Sequence, residues 1–428
     1  MSSDLFTCAS LESLFKWVFE YEKNGQILGI SRDLFYLPAT DDHFSMQRYG
    51  QTLETPLGLA AGPHTQLSQN IICAWLTGGR YMELKTVQVL DELEVTKPCI
   101  DMSDEGYNCE WSQELKLNES FDEYLNAWIM LHVLRDRFNL SPDESGFIFN
   151  MSVGYNLEGI LSPTVQNFLD KMSDCSEFLA HKVQEIAKFY PRITELKIPA
   201  EITRNITIST MHGCPPAETE KIGRYFIEER KLDTTIKLNP TLLGPEKLRE
   251  ILNEKLGFDT VVPDLAFEHD LEFDAGVVLI KSLLACAEKA GVAFNIKLTN
   301  TLETTNVRQN LPKHEEMVYM SGRALHPISI NLAARLQKEF AGQLDISFSG
   351  GADCFNISDV LSCGLMPVTI CSDVLKPGGY GRLSQYLEKI SEDFETVGAS
   401  NINEYILKTS GKDSLEEAIV ANLASYAE

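Results

Sequence analysis

The sequence predicts an α/β protein built on a closed (βα)8 barrel, and three observations carry that expectation. Eight short runs of strand character occur along the 428 residues, at 57–62, 81–87, 147–152, 205–210, 234–239, 294–299, 344–349 and 367–371. Helical patterns with recognisable ends separate most of them; strands alternating with helices imply a parallel sheet, and eight such units imply that it closes. No internal repeat, low-complexity tract or Pro/Ser linker divides the chain. An open doubly wound sheet is the alternative. The expected organisation is an N-terminal helical extension (1–50), the barrel (51–395) and a C-terminal helical tail (396–428).

Taken in order, residues 10–25 form an amphipathic helix, with Leu11, Leu14, Phe15, Val18 and Phe19 on one face and Gly25 as its stop. The insertion 88–146 follows the second strand and carries a helix over about 119–138. Ser162-Pro163 opens a long helix bearing Val165, Phe168, Leu169, Met172, Leu179, Val183 and Ile186. Further helices open at Pro245, after Asp274 (ending at Gly291) and at Pro327 (ending near Gly342). Residues 300–326 read as a long polar loop of the kind that serves as a lid or binding loop. In the tail, Ser414 and Glu417 form a capping box; interface and simple cover both remain open for this segment.

Composition narrows the function classes. A net charge of -25 argues against nucleic-acid and anionic-membrane binding, and 44% hydrophobic residues suffice for a large core. The ten cysteines include no Cys-x-x-Cys pair, so zinc and iron–sulfur sites lack their usual spacing and reduced thiols in a cytoplasmic protein are the simplest expectation. No export signal or membrane span is expected, because the most apolar stretch, 275–294, is interrupted by Lys281, Glu288 and Lys289.

The chemistry is expected at the strand ends. In Ile-Thr-Ile-Ser-Thr-Met-His-Gly-Cys-Pro-Pro (206–216) a β-branched run stops at Gly213, and Cys214 precedes a helix whose positive end would favour a thiolate; a small buried hydrophobe is the alternative. Leu-Gly-Leu-Ala-Ala-Gly (57–62) leaves room for a flat ring or for tight packing. Lys85 and Lys237, at the ends of the second and fifth strands, suggest bound negative charge if they point inward. Ser349-Gly350-Gly351 and Cys371-Ser372-Asp373 fall where barrels hold phosphate, after strands seven and eight. His212 and His64 are either ligand-facing or structural loop histidines.

These pieces together resemble the FMN-binding barrel of the dihydroorotate and dihydropyrimidine dehydrogenases, over about residues 50–390. The match comprises Ala60-Ala61-Gly62, Lys85-Thr86, Asn108-Cys109-Glu110, Gly213-Cys214-Pro215, Lys237-Leu238, Thr299-Asn300-Thr301, Ser321-Gly322-Arg323-Ala324-Leu325-His326-Pro327 and Gly350-Gly351. More narrowly, residues 209–215 and 237–244 resemble the N-terminal barrel of proteins named as selenate reductase subunits, although no residue speaks for selenate. The resemblance implies FMN held by Ala61, Gly62, Lys85, Thr86, Ser152, Lys237, Thr299, Gly322, Gly350, Gly351, Cys371 and Ser372. It implies Cys214 as general acid or base, Lys237 as stabiliser of the reduced ring, and Asn108, Ser112, His212, Asn300 and Thr301 as contacts to a planar heterocycle. The implied reaction is reduction or oxidation of a ring C=C bond, with hydride through FMN and the proton through Cys214.

Two departures matter. Met211 and Pro216 stand where relatives that handle orotate carry asparagines, which disfavours orotate. The chain also lacks a Gly-x-Gly-x-x-Gly dinucleotide motif, so a partner carrying FAD or iron–sulfur clusters and served by NAD(P)H is expected. A lyase with a Schiff-base lysine (Lys237 or Lys85) and a non-catalytic scaffold are the alternatives.

Overall fold

The computed structural model describes residues 7–39, 42–87, 98–102, 105–109, 114–141, 144–209, 214–307 and 311–428. Eight parallel strands close into a barrel: β1 (Leu57–Leu59), β2 (Tyr81–Glu83), β3 (Ile148–Val153), β4 (Asn205–Ser209), β5 (Asp233–Leu238), β6 (Phe294–Leu298), β7 (Ile346–Phe348) and β8 (Leu365–Ile370). Each lies on one of the eight expected runs, and β8 pairs with β1 to complete the circle. Helices cover the outside while side chains fill the inside, so the strands are buried on both faces.

The barrel interior is unusually polar, which is tolerable only because its groups are paired. Asn150 donates to Asn205 Oδ1 at 2.6 Å and accepts from Thr207 at 2.7 Å. Higher up, Lys297 of β6 forms an ion pair with Glu83 of β2 and donates to Thr369 of β8. A hairpin of Met46–Arg48 and Gln51–Leu53 closes the amino-terminal end. There the Tyr49 hydroxyl reaches Thr235 at 3.0 Å and Asn295 at 3.2 Å, and Arg48 pairs with Asp345.

The N-terminal helix runs Leu11–Glu22, capped by Ser10, with Leu11, Leu14, Phe15 and Val18 buried. The expected long helix after Ser162 is instead two, Pro163–Ser173 and Ser176–Ile186. Asp174 is extended and its carboxylate caps the Ser176 N–H at 3.0 Å, while the Cys175 N–H leaves the helix for the Ala200 carbonyl. The expected polar loop 300–326 also differs: Leu302–Thr305 and Met317–Ser321 form a hairpin that pairs with Gly106–Asn108 from the first insertion. Main-chain pairing across two insertions thus builds a small sheet over the carboxyl end of the barrel. Leu117–Arg137 supplies the helix expected in the first insertion.

The tail forms Ile402–Ser410 and Leu415–Tyr426, the latter capped by Ser414. Its residues join the same hydrophobic core as the barrel, and Asn422 donates to the Ser362 and Ile406 carbonyls at 2.7 and 3.0 Å. No helix among the described residues is long and apolar enough to cross a membrane.

Candidate active site

A cavity of about 230 Å³ opens at the carboxyl ends of the strands. Its wall gathers Ala61, Lys85, Thr86, Lys237, Thr299, Asn300, Thr301, Gly322, Gly351, Cys371 and Ser372, residues the sequence placed on six different strand ends. Ser152, Gly62 and Gly350 stand just behind. The Ser152 hydroxyl bonds to Thr86 at 2.8 Å, and a side chain on Gly62 would meet the His64 ring and, at 3.5 Å, the Cys371 sulfur.

One end of the cavity is a cradle built from three loops. Gly322, after the hairpin, has φ +76° and Gly351, after β7, has φ +67°, both in the region that favours glycine. A Cβ on Gly351 would collide with the Gly322 carbonyl, so the two loops can approach only as glycines. Ser372, after β8, joins them through a 3.0 Å contact between its hydroxyl and that of Ser321. Arg323 and Lys376 add cationic side chains to this end, where Asp353 and Asp373 also lie; Arg323 pairs with Asp353 at 3.4 Å and Arg382 pairs with Asp373 at 2.8 Å.

The floor is cationic. Lys237 is partly buried in the cavity wall, and desolvation lowers its pKa against the opposing pull of Glu83. Burial likewise brings Lys297 down to about 8, with Glu83 holding it charged. The Glu83 carboxylate also accepts from the Ala61 N–H at 3.2 Å, tying the lysine network to the end of β1. Burial pushes the Cys371 thiol up to about 12 although Lys237, Lys297 and Lys85 all oppose it; its sulfur lies 3.8 Å from His64 Nδ1. His64 is itself brought down to about 4 by burial.

Cys214 does not line the main cavity. It lines a small adjoining recess with Thr219, Leu238, Asn239, Leu242, Asp270 and Leu271. Asn239 of that recess accepts from Asn300 Nδ2 at 2.7 Å, so one amide pair joins the two spaces. This setting works against the expected thiolate: burial raises the Cys214 pKa, the Thr219 hydroxyl at 3.4 Å opposes the rise, and Glu218 in the first helical turn reinforces it. His212 and Ser112 lie outside the described residues.

Asn108 sits outside the cavity wall, on the strand beside Tyr319, and is wholly buried. Neither its amide oxygen nor its nitrogen has a hydrogen-bond partner among the described residues. Leaving both groups unpaired costs free energy. Sequence reading missed Glu83 and Lys297. The available signal was a charge in the middle of an apolar strand, in Tyr-Met-Glu-Leu and Asn-Ile-Lys-Leu.

The family model described as oxidoreductase YgfK, N-terminal TIM-barrel domain, matches residues 28–421. The chain belongs to this family. Two curated relatives named "Putative oxidoreductase YgfK", from Escherichia coli strain K12 and from Escherichia coli O157:H7, are each 44% identical over 434 residues. That alignment takes in 96% of this chain and 41% of theirs, so the chain spans less than half the length of these relatives. Among solved structures, ligand-free DHODH from Eimeria tenella superposes with a TM-score of 0.51 at 17% identity, covering 87% of this chain and 93% of that one. DHODH from Eimeria tenella in complex with ferulenol gives 0.53 at 16% identity, covering 87% and 90%. At these identities the likeness speaks for the barrel fold.

Proposed function

We propose that this chain is the flavin-binding catalytic barrel of an oxidoreductase that reduces, or in reverse oxidises, a ring C=C bond of a purine- or pyrimidine-like heterocycle, with FMN as cofactor. The observation carrying this reading is that one cavity joins a glycine and serine cradle (Gly322, Gly351, Ser372) to a lysine-rich floor (Lys85, Lys237). The residues fit FMN. Backbone donors of the glycine loops and Lys376 suit a phosphate, Ala60 and Ala61 leave space for a flat ring, and the Lys237 charge suits an electron-rich one.

When bound, FMN supplies a centre that can give or take a hydride. The chain's own residues do the rest. Cys214, whose thiol burial keeps protonated at neutral pH, delivers the proton in the reductive direction, and the Thr219 hydroxyl stabilises the thiolate left behind. Asn108 and Asn300 offer donors and acceptors to a lactam-bearing ring. Electrons come from an NAD(P)H-linked module carrying FAD or iron–sulfur clusters, in the same polypeptide or another.

Anaerobic reduction of the chain by dithionite, followed by a panel of purines and pyrimidines, tests the reading. One of them should reoxidise the flavin and appear as its dihydro product, and Cys214→Ser should slow that step by about 10²-fold or more while keeping the flavin spectrum. Failure of every ring compound would refute it. The lowered Lys237 pKa favours a second reading, an amine nucleophile for a carbonyl substrate, which borohydride trapping of a lysine imine would reveal.

A further inference from the structure

The Gly350–Gly351 peptide is held from behind the cavity. Gly351 lines the cavity and Gly350 does not. A side chain on Gly350 would instead press on Ser329 and, at 2.8 Å, on Phe348 Cζ. This peptide is not among the cis bonds, so the Gly350 carbonyl and the Gly351 N–H point in opposite directions. Whatever fixes the carbonyl therefore aims the N–H.

His326 fixes it. Its Nδ1 is 2.7 Å from the Gly350 carbonyl oxygen and its Nε2 is 2.8 Å from the Tyr426 hydroxyl. A carbonyl can only accept, so Nδ1 carries the proton; Nε2 is then the acceptor and Tyr426 the donor. Burial lowers the His326 pKa, which keeps the ring neutral and this donor order intact. The ring is wedged edge-on between Phe348 and Tyr426, each with its centroid 5.7 Å away. Tyr426 is the last residue of the helix Leu415–Tyr426, and that helix is docked independently through Asn422 and through Asn331, which donates to the Ala427 carbonyl at 3.3 Å.

We infer that His326 and Tyr426 form a positioning clamp that turns the Gly351 N–H into the cradle, making the C-terminal helix a working part of the anion-binding end of the cavity. The clamp rests on the proposed FMN reading for the identity of its anion, a phosphate ester, but the geometry of the clamp does not depend on it. It also assigns the tail a role beyond covering the barrel.

The test compares FMN with riboflavin, which share the ring and differ by the phosphate, titrated into apoprotein by fluorescence. Three variants are used: Tyr426→Phe, His326→Leu, and His326→Asn, whose amide nitrogen can still donate to the Gly350 carbonyl. Loss of one well-placed hydrogen bond predicts that FMN Kd rises about tenfold in His326→Leu and about threefold in Tyr426→Phe, with riboflavin Kd within about twofold of wild type. His326→Asn should restore much of the FMN affinity. Amide exchange across residues 349–353, read without ligand, should quicken in His326→Leu and Tyr426→Phe. Parallel loss of both flavins, or unchanged exchange, would overturn the clamp. Binding of neither flavin by wild type, with exchange responding as expected, would leave the clamp standing and remove the FMN reading.

Discussion

Replacing Glu83 with glutamine keeps the shape of the barrel interior and removes the charge that holds Lys297. The two side chains are 3% and 0% exposed, so water cannot substitute for the lost partner. A unit-charge pair about 4 Å apart at an effective dielectric near 20 is worth about 4 kcal/mol, and breaking buried pairs typically costs about 3–5 kcal/mol. Lys297 has an escape, because its pKa of about 8 lies close to neutrality and it can shed its proton. The expected loss at pH 7 is therefore at the lower end, about 3 kcal/mol, read from urea unfolding midpoints and slopes. Adding Lys297→Met removes the stranded charge and should bring the double variant back to within about 1 kcal/mol of wild type. A loss below about 1 kcal/mol for Glu83→Gln, or no recovery in the double variant, would refute the view that this pair carries the floor of the cavity.

Gly351→Ala should abolish tight flavin binding, because the new methyl meets the Gly322 carbonyl and the residue must hold φ +67°; unchanged FMN affinity would contradict the cradle. Cys214→Ala should cost about 10²–10⁴ in the proton-dependent half-reaction while flavin content stays the same, as measured by stopped-flow reoxidation. In the reductive direction wild-type activity should hold through neutral pH and fall as the Cys214 thiol ionises, since burial raises that pKa. His64 and His132 are brought down to about 4 and about 3, chiefly by burial, whereas the unfolded chain titrates them near 6.5. Unfolding thus takes up protons below about pH 6.5, and by pH 5 each ring costs at most about 2 kcal/mol. His132→Phe, packed against Trp128 and Phe147, should remove that ring's share of the acid sensitivity; an unchanged shift of the urea midpoint between pH 7 and 5 would contradict this.

The barrel was legible because its strands are β-branched or apolar runs stopped by glycine, proline or a polar cluster, as in Ile206–Ser209 before the Cys214 loop. The cover sheet was not. Gly106–Asn108 and Met317–Ser321 are short, and they pair across more than 200 residues of chain. Nothing local encodes that partnership. Most of the cavity wall could be placed because strand ends converge in any closed barrel. Which side chains point inward depends on register, and so Glu83 and Lys297 went unnoticed between apolar neighbours. The same limit hid the Asn239–Asn300 pair that joins the Cys214 recess to the cavity, and the His326–Tyr426 contact between residues a hundred positions apart. The break at Asp174 was missed for a local reason. The apolar spacing continues across it, and only the side-chain cap on Ser176 and the Cys175 bond to Ala200 show that the helix is interrupted.

The visible absorption spectrum of the purified chain, with identification of any released cofactor, tests the central claim most directly. An oxidised-flavin spectrum and release of FMN at about one per chain are expected. A colourless protein that takes up no added FMN, alone or with an NAD(P)H-linked flavin or iron–sulfur partner, would contradict it.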